Sequence, residues 1–282
     1  MTNAHDFETF WARLNQELFV PPKNILTAGL TGLMYRGIPD KSYELTTSLQ
    51  RLNITVQRSN GNLAISTAAQ RRTELQYRER RLIDSFRKYA RNLLSFGTTD
   101  WDVMLLGQHY RLPTRLLDWT ASPLVAMFFA TEPLTLKPEK EPDGMIWCIS
   151  HAATLAMCDE TLVRRLAQAK KRTADIEFMS TFGTIEEFDA EPYKSSLLWF
   201  EPHSVDQRII NQFAVFSVMQ GVDTRVDQWI NDNKDVAWCV IIPGEMKTLL
   251  RRRLYLLNIT DRTLFPGLEG IAHWQKAYYS DD

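Results

Sequence analysis

GQHYRLPTRLLDWTASPLVAMFFA, residues 107–130, changes character at its centre. Gly107 to Ser122 is crowded with hydrogen-bonding groups, whereas Leu124 to Ala130 is apolar on every side. Ser122-Pro123 between them reads as a helix start, because a serine oxygen accepts from the free N–H groups of a first turn and proline suits the first helical position. A helix apolar all round has to be buried. Polar groups beside a buried helix are costly unless paired, so the stretch either satisfies itself or faces a pocket. Two arrangements meet that demand. In one, Arg115 and Asp118 form an ion pair, and His109 and Thr120 complete a structural network. In the other, the same groups line a site where the positive end of the buried helix faces a phosphate.

Working outward, Asp100 caps a short helix, Trp101 to Leu106, which Gly107 closes. Before it, Leu75, Leu82, Phe86, Tyr89 and Leu93 line one face of a helix from about Arg71 to Leu94. Its other face carries Arg71, Arg72, Arg78, Arg80, Arg81, Arg87, Lys88 and Arg91 against Glu74, Glu79 and Asp84, which is either a solvated face or a stripe for a polyanion. Leu33-Met34-Tyr35 reads as a strand that delivers Arg36 and Gly37 to its end. Phe7, Phe10, Trp11, Leu14 and Leu18 mark an amphipathic helix over Asp6 to Leu18. Downstream, Glu132 to Asp143 reads as an exposed connection. Met145 to Ile149, Phe213 to Met219 and Val236 to Ile242 read as strands, and Glu245 to Leu257 has helical spacing.

Composition narrows the function classes. With 33 Lys and Arg against 34 Asp and Glu, the net charge of -1 supplies no long-range field for nucleic acid or an anionic membrane, so such binding needs a local patch. Cys148, Cys158 and Cys239 form no close pair and read as reduced core residues. The opening MTNAHDFETF lacks the layout of a signal peptide, and the apolar run Leu124 to Ala130 is too short to cross a bilayer, so a cytoplasmic protein with no membrane association is expected. Neither G-x-x-x-x-G-K-[ST], nor G-x-G-x-x-G after a strand, nor G-x-S-x-G occurs. His5, His109, His151, His203 and His273 are scattered, so no metal is expected.

The stretch quoted above resembles the central motif of the FRG domain, and Tyr35-Arg36-Gly37 resembles the motif that names it. Ser48-Leu49-Gln50-Arg51, the run Arg208 to Phe216, and Leu264 to Gly270 extend the resemblance over about residues 30–273. This sequence departs from the family pattern with Tyr35 for Phe, Arg111 for Gly, and Gly267 for an acidic residue; Arg111 bears on access to the site. More loosely, the order of motifs resembles that of ADP-ribosyltransferases: an early Arg-Gly, a Ser/Thr-containing strand-to-helix segment, and a late acidic residue.

Those resemblances imply an α+β unit spanning residues 1–282, with residues 1–32 as an N-terminal helical extension. Its sheet is mixed or antiparallel, the split ADP-ribosyltransferase form included, with helices around it. They also imply NAD as substrate. Arg36, with Gly37, takes the diphosphate, because a planar guanidinium clasps phosphate oxygens with paired hydrogen bonds. Glu269, with Glu201 in reserve, stabilises the oxocarbenium character that builds as nicotinamide leaves the ribose. Thr120 and Ser122 line the nicotinamide-ribose pocket; Gln108, His109, Arg115 and Asp118 hold the loop or bind the acceptor; Arg208 and Gln212 lie on the neighbouring strand. The bland alternatives are that Arg208 pairs with Asp206 or Glu201 and that Glu269 caps a turn. The implied setting is a toxin-like or phage-defence effector with a protein or nucleic-acid acceptor and an antitoxin-like protein partner. Two other functions fit the same residues: a phosphodiester hydrolase with His109 as general base, and a nucleotide- or partner-binding module without turnover. The transferase reading requires Arg36, the hydroxyls opening the apolar helix, and the late carboxylate to share one cavity.

Overall fold

A computed structural model describes residues 4–27, 32–53, 55–58, 61–64, 67–95, 97–135, 141–193, 196–202 and 207–279. The strands are β1 (Leu33–Ile38), β2 (Thr55–Arg58), β3 (Gly61–Ala64), β4 (Leu117–Thr120), β5 (Gly144–Ser150), β6 (Leu197–Phe200), β7 (Ala214–Met219) and β8 (Ala237–Ile242). Helices α1 (Ala4–Phe19), α2 (Ala68–Tyr89), α3 (Asp100–His109) and α4 (Pro123–Ala130) belong to the first half. Then come α5 (His151–Met157), α6 (Glu160–Gln168), α7 (Ile176–Ser180), α8 (Ile185–Ala190), α9 (Gln207–Asn211), α10 (Val226–Asp232), α11 (Lys247–Leu256), α12 (Asp261–Leu264) and α13 (Leu268–Tyr279).

Six strands form one open antiparallel sheet in the order β6-β7-β4-β1-β5-β8, and β2-β3 is a separate hairpin. The fold is α+β, as expected. The sheet has a seam: β1 pairs with β5 through six residue pairs, from Leu33↔Ser150 to Ile38↔Met145, yet with β4 through the single pair Tyr35↔Thr120. It therefore consists of two three-stranded halves, β6-β7-β4 and β1-β5-β8, that part beyond Tyr35.

Helix α4 rests on β1 so closely that a Cβ on Gly37 would stand 1.8 Å from the Ala126 carbonyl oxygen, and one on Gly144 of β5 2.3 Å from that of Ala130. As its sequence demands, α4 is buried, with Ser122 Oγ accepting from the Val125 N–H and Pro123 at its start. It shares a core with α1, α11 and α12, including Leu14, Tyr35, Ile146 and Leu250. A separate core under β6 and β7 joins α2, α3 and α6 to α8 through Ile83, Trp101, Phe188 and Phe200. A third, with Met34, Trp119, Ile149 and Trp229, spans both halves of the sheet.

Several expectations change on contact with the fold. Gly107 does not close α3 but lies inside it, where the Leu112 side chain comes within 2.6 Å of the position a Cβ would take. The cap is Thr99, in a reciprocal box with Asp102. Cys148 and Cys158 are buried, whereas Cys239 is exposed on the edge strand β8. The basic face of α2 is largely occupied: Arg80 and Arg87 hold the buried Asp100 carboxylate, Arg80 also holds Glu186, Arg78 pairs with Glu74, and Arg71 donates to the Gln50 carbonyl. Apart from the Arg78–Glu74 pair, which lies within α2, these bonds tie the helix to its neighbours rather than presenting a free cationic stripe. Residues 136–140 of the connection before β5, together with His203 and Asp206, lie outside the described residues.

Candidate functional site

Where β1 and β4 part, Arg36 fills the gap. Its guanidinium donates to the backbone carbonyl of Asp118, an acceptor that a continued β1/β4 ladder would have paired, and Nη1 lies 3.9 Å from the Asp118 carboxylate. Its Nε is buried without a hydrogen-bond partner among the described residues. Burial pulls Arg36 down from the ordinary arginine range, with nearby Asp118 opposing and Arg51 reinforcing the shift. A guanidinium stays protonated even so, which leaves a partly buried cation, with its Nε unpaired, beside a cleft.

That cleft has a volume of about 360 Å³. Arg36, Arg51, Arg111 and Arg208 line it, and Asp118 is the only acidic residue in its wall among the described residues. Gln108 donates from Nε2 to both Asp118 carboxylate oxygens at 3.0 Å, while its own amide oxygen accepts from the Thr114 hydroxyl. The chain Thr114 to Gln108 to Asp118 therefore sets the carboxylate's orientation. Arg51 comes from a turn fastened to the residues before β4: Leu49 N–H donates to the Thr114 carbonyl at 3.1 Å and Thr114 N–H to Ser48 Oγ at 3.0 Å. At the other end Arg208 lies 5.0 Å from the Phe265 ring centroid. Gln212 lines the cleft too, donating to the Leu264 carbonyl and accepting the Thr120 hydroxyl on its own carbonyl.

The residues singled out in the sequence are thus divided. Arg36, Gly37, Gln108, Asp118, Thr120, Arg208 and Gln212 line the cleft together. Ser122 is absent from its wall, its hydroxyl spent on the α4 cap. His109 ends α3 edge-on to Tyr110 and does not line the cleft. Glu269 stands at the mouth, exposed, 3.1 Å from the guanidinium of Arg111. Glu201 follows β6, its N–H bonded to the Ala174 carbonyl, and is likewise outside the wall.

Arg115 belongs elsewhere, and its partner is not Asp118. Almost wholly buried, it donates to Glu79 at 2.7 Å and to Asp189 at 2.6 and 3.0 Å, locking α2 and α8 to the start of β4. Burial pushes the Glu79 carboxyl up from its usual range, against the pull of Arg115. Sequence reading left Arg51 without a role and Arg111 with one only through access; the signal for Arg51 was the Ser48–Arg51 block, and that for Arg111 was its departure from the glycine the FRG resemblance leads one to expect.

No group of three or more His, Cys, Asp or Glu side chains among the described residues is placed to hold a metal ion. No helix among them is long and apolar enough to cross a membrane. Residues 31–139, which contain β1, the Arg51 turn, Asp118 and α4, match the family model described as the FRG domain; Arg208, Gln212 and Glu269 lie beyond it. No curated protein and no solved structure matches the chain.

Proposed function

We propose, from the premise that this chain carries an FRG domain over residues 31–139, that the cleft binds a nucleotide by its phosphates and that NAD is the substrate. The supporting observation is the convergence of Arg36, Arg51, Arg111 and Arg208 on one small cleft with a single carboxylate, Asp118, in its wall. Guanidinium forks match phosphate oxygens in pairs, and a partly desolvated cation with an unpartnered N–H gains most from such an anion. In this reading Arg36 and Arg51 hold the diphosphate, and Asp118, oriented by Gln108, faces the ribose. The bond from the ribose anomeric carbon to nicotinamide breaks with its electron pair leaving on neutral nicotinamide. The oxocarbenium character that builds on the ribose is stabilised by the carboxylate. An acceptor hydroxyl or water adds its oxygen to the anomeric carbon and releases its proton to solvent. Glu269, paired with Arg111 outside the cleft wall, meets an acceptor in this reading rather than the ribose. The requirement that the late carboxylate and the Ser122 hydroxyl share the cavity with Arg36 is not met, so the carboxylate of this reading is Asp118 and the hydroxyl is that of Thr120; hydrolysis by His109 is less favoured because His109 does not line the cleft.

The test is nicotinamide release from NAD by the purified protein, with and without protein and nucleic-acid acceptors. Asp118→Asn is expected to lower turnover by roughly 100-fold or more. Arg36→Ala weakens NAD binding by on the order of 10- to 100-fold, the worth of a charge-assisted hydrogen-bond pair, and Glu269→Gln changes acceptor use more than nicotinamide release. Affinity without turnover makes the chain a binding module, and no NAD binding at millimolar concentration removes the proposal. The toxin-like or phage-defence setting, with an antitoxin-like partner, rests on the resemblance. Under it, expression of the wild-type chain slows cell growth and expression of Asp118→Asn does not.

A further inference from the structure

Arg36, Gly37, Arg51 and Phe129 of the cleft wall also line a second, more open hollow of about 620 Å³, so the two adjoin at these four residues, the neck between them. The chambers differ in chemistry. Outside the shared neck, the first carries Arg111 and Arg208 beside Asp118. Among the described residues the second carries no cation beyond the neck; its charged groups are Glu44 and Glu132, accompanied by the Ser42 and Thr46 side chains and the ring of Tyr43. A phosphate is disfavoured there. A neutral group with hydroxyl or amine donors and a flat aromatic face suits it.

The wall of this chamber is held in place. Ser42 N–H donates to the Asp40 carboxylate at 2.8 Å, Lys41 N–H to the Asp143 carbonyl at 2.8 Å, and Leu45 N–H to the Asp227 carboxylate at 3.3 Å. Glu44 is bridged to Arg225 at 2.8 Å. A wall fixed before binding costs a ligand little ordering entropy. Tyr43 is half-exposed, so its ring is open to a stacking partner.

We infer that this second chamber is a nucleoside subsite, in which Tyr43 and Phe129 flank the base and Glu44 and Glu132 accept from its amine or from ribose hydroxyls, while the phosphates remain at the Arg36–Arg51 neck. The inference rests on the phosphate reading of the first chamber and adds the part of the ligand that confers selectivity. Tyr43 then determines specificity without touching the reacting atoms.

Titration calorimetry with inorganic pyrophosphate, ADP and UDP separates the two readings. The wild-type chain should bind ADP, which carries the adenosine of NAD, on the order of tenfold better than pyrophosphate, with UDP as the base control. Tyr43→Ala should bring ADP down to the level of pyrophosphate and leave pyrophosphate itself unchanged, whereas Arg36→Ala weakens all three. Because Tyr43 is half-exposed, an unchanged melting temperature for Tyr43→Ala is expected and confirms that the fold is intact. Equal affinities for pyrophosphate and both nucleotides, or a Tyr43→Ala effect that is absent or parallel across all three ligands, overturns the subsite and leaves the phosphate site standing. Failure of pyrophosphate and both nucleotides to bind at millimolar concentration overturns both.

Discussion

Arg111 sits in the left-handed region with φ of 63°, where its Cβ crowds the backbone by roughly 1–2 kcal/mol relative to a residue without one. A glycine, which the FRG resemblance leads one to expect here, would carry no such strain; the arginine adds a cation to the cleft and a bridge to Glu269. Arg111→Gly is therefore expected to gain about 0.5–1 kcal/mol in denaturant unfolding while weakening nucleotide affinity severalfold in the same calorimetric assay. Arg115 behaves in the opposite sense. Arg115→Met strands two buried carboxylates and should cost about 3–5 kcal/mol of stability, with loss of ligand binding only as the fold is lost. The departure of Arg111 from the pattern of the FRG resemblance was legible in the sequence. The partners of Arg115 were not, since Glu79 and Asp189 lie 36 and 74 residues away and only the packed fold brings them together.

Among the elements, β1 and α4 form the pair on which the cleft depends. Gly37→Ala drives a methyl into the Ala126 carbonyl, and overpacking of this kind costs about 1–3 kcal/mol or more. Helix α4 then shifts off β1, and Phe129 with it, so a loss of nucleotide binding should accompany the fall in melting temperature. Ser122→Ala removes only a cap and is expected to cost about 1 kcal/mol with nucleotide affinity unchanged, which separates the helix terminus from the ligand site. Strong local signals made these elements readable: the Ser-Pro start, the all-apolar run, and the strand ahead of Arg36-Gly37. Helices α5 to α8 escaped because each is only 5 to 9 residues long, and strand β6 because all four of its residues are buried and show no alternation. Their stability comes from tertiary burial of residues such as Leu162, Phe178 and Phe188. Gly107 misled for a related reason: its lack of a side chain serves packing against Leu112 rather than a helix end.

For the whole molecule, the α+β class and the grouping of Arg36, Gln108, Asp118, Thr120, Arg208 and Gln212 were within reach of motif order alone. For Arg51 the Ser48–Arg51 block was a signal but its place in the cleft was not legible, and neither was the second chamber, because both depend on contacts between residues far apart in the chain, Leu49 with Thr114 and Leu45 with Asp227. Stability should also respond to mild acid. His151, at the β5/α5 junction, is buried, with Nε2 3.1 Å from Thr173 Oγ1, and burial lowers its pKa, with only Arg172 contributing a smaller opposing hydrogen bond and a reinforcing charge. The unfolded histidine, near 6.5, then binds more protons than the folded one just below that pH. Stability is full above about 6.5 and falls as the pH drops toward the depressed folded value. Denaturant unfolding at pH 7.5 and 5.5 should show this loss in the wild type and a smaller one in His151→Gln.

The seam between β1 and β4 has a mechanical corollary. Two leaves of sheet bound along one stitch open like a book, and a ligand whose phosphates engage Arg36 on one leaf while its ribose meets Asp118 on the other is a clasp across the spine. Amide protons at Tyr35 and Thr120 should therefore exchange with deuterium markedly more slowly once such a molecule is bound, while those of the six-pair β1/β5 ladder barely change.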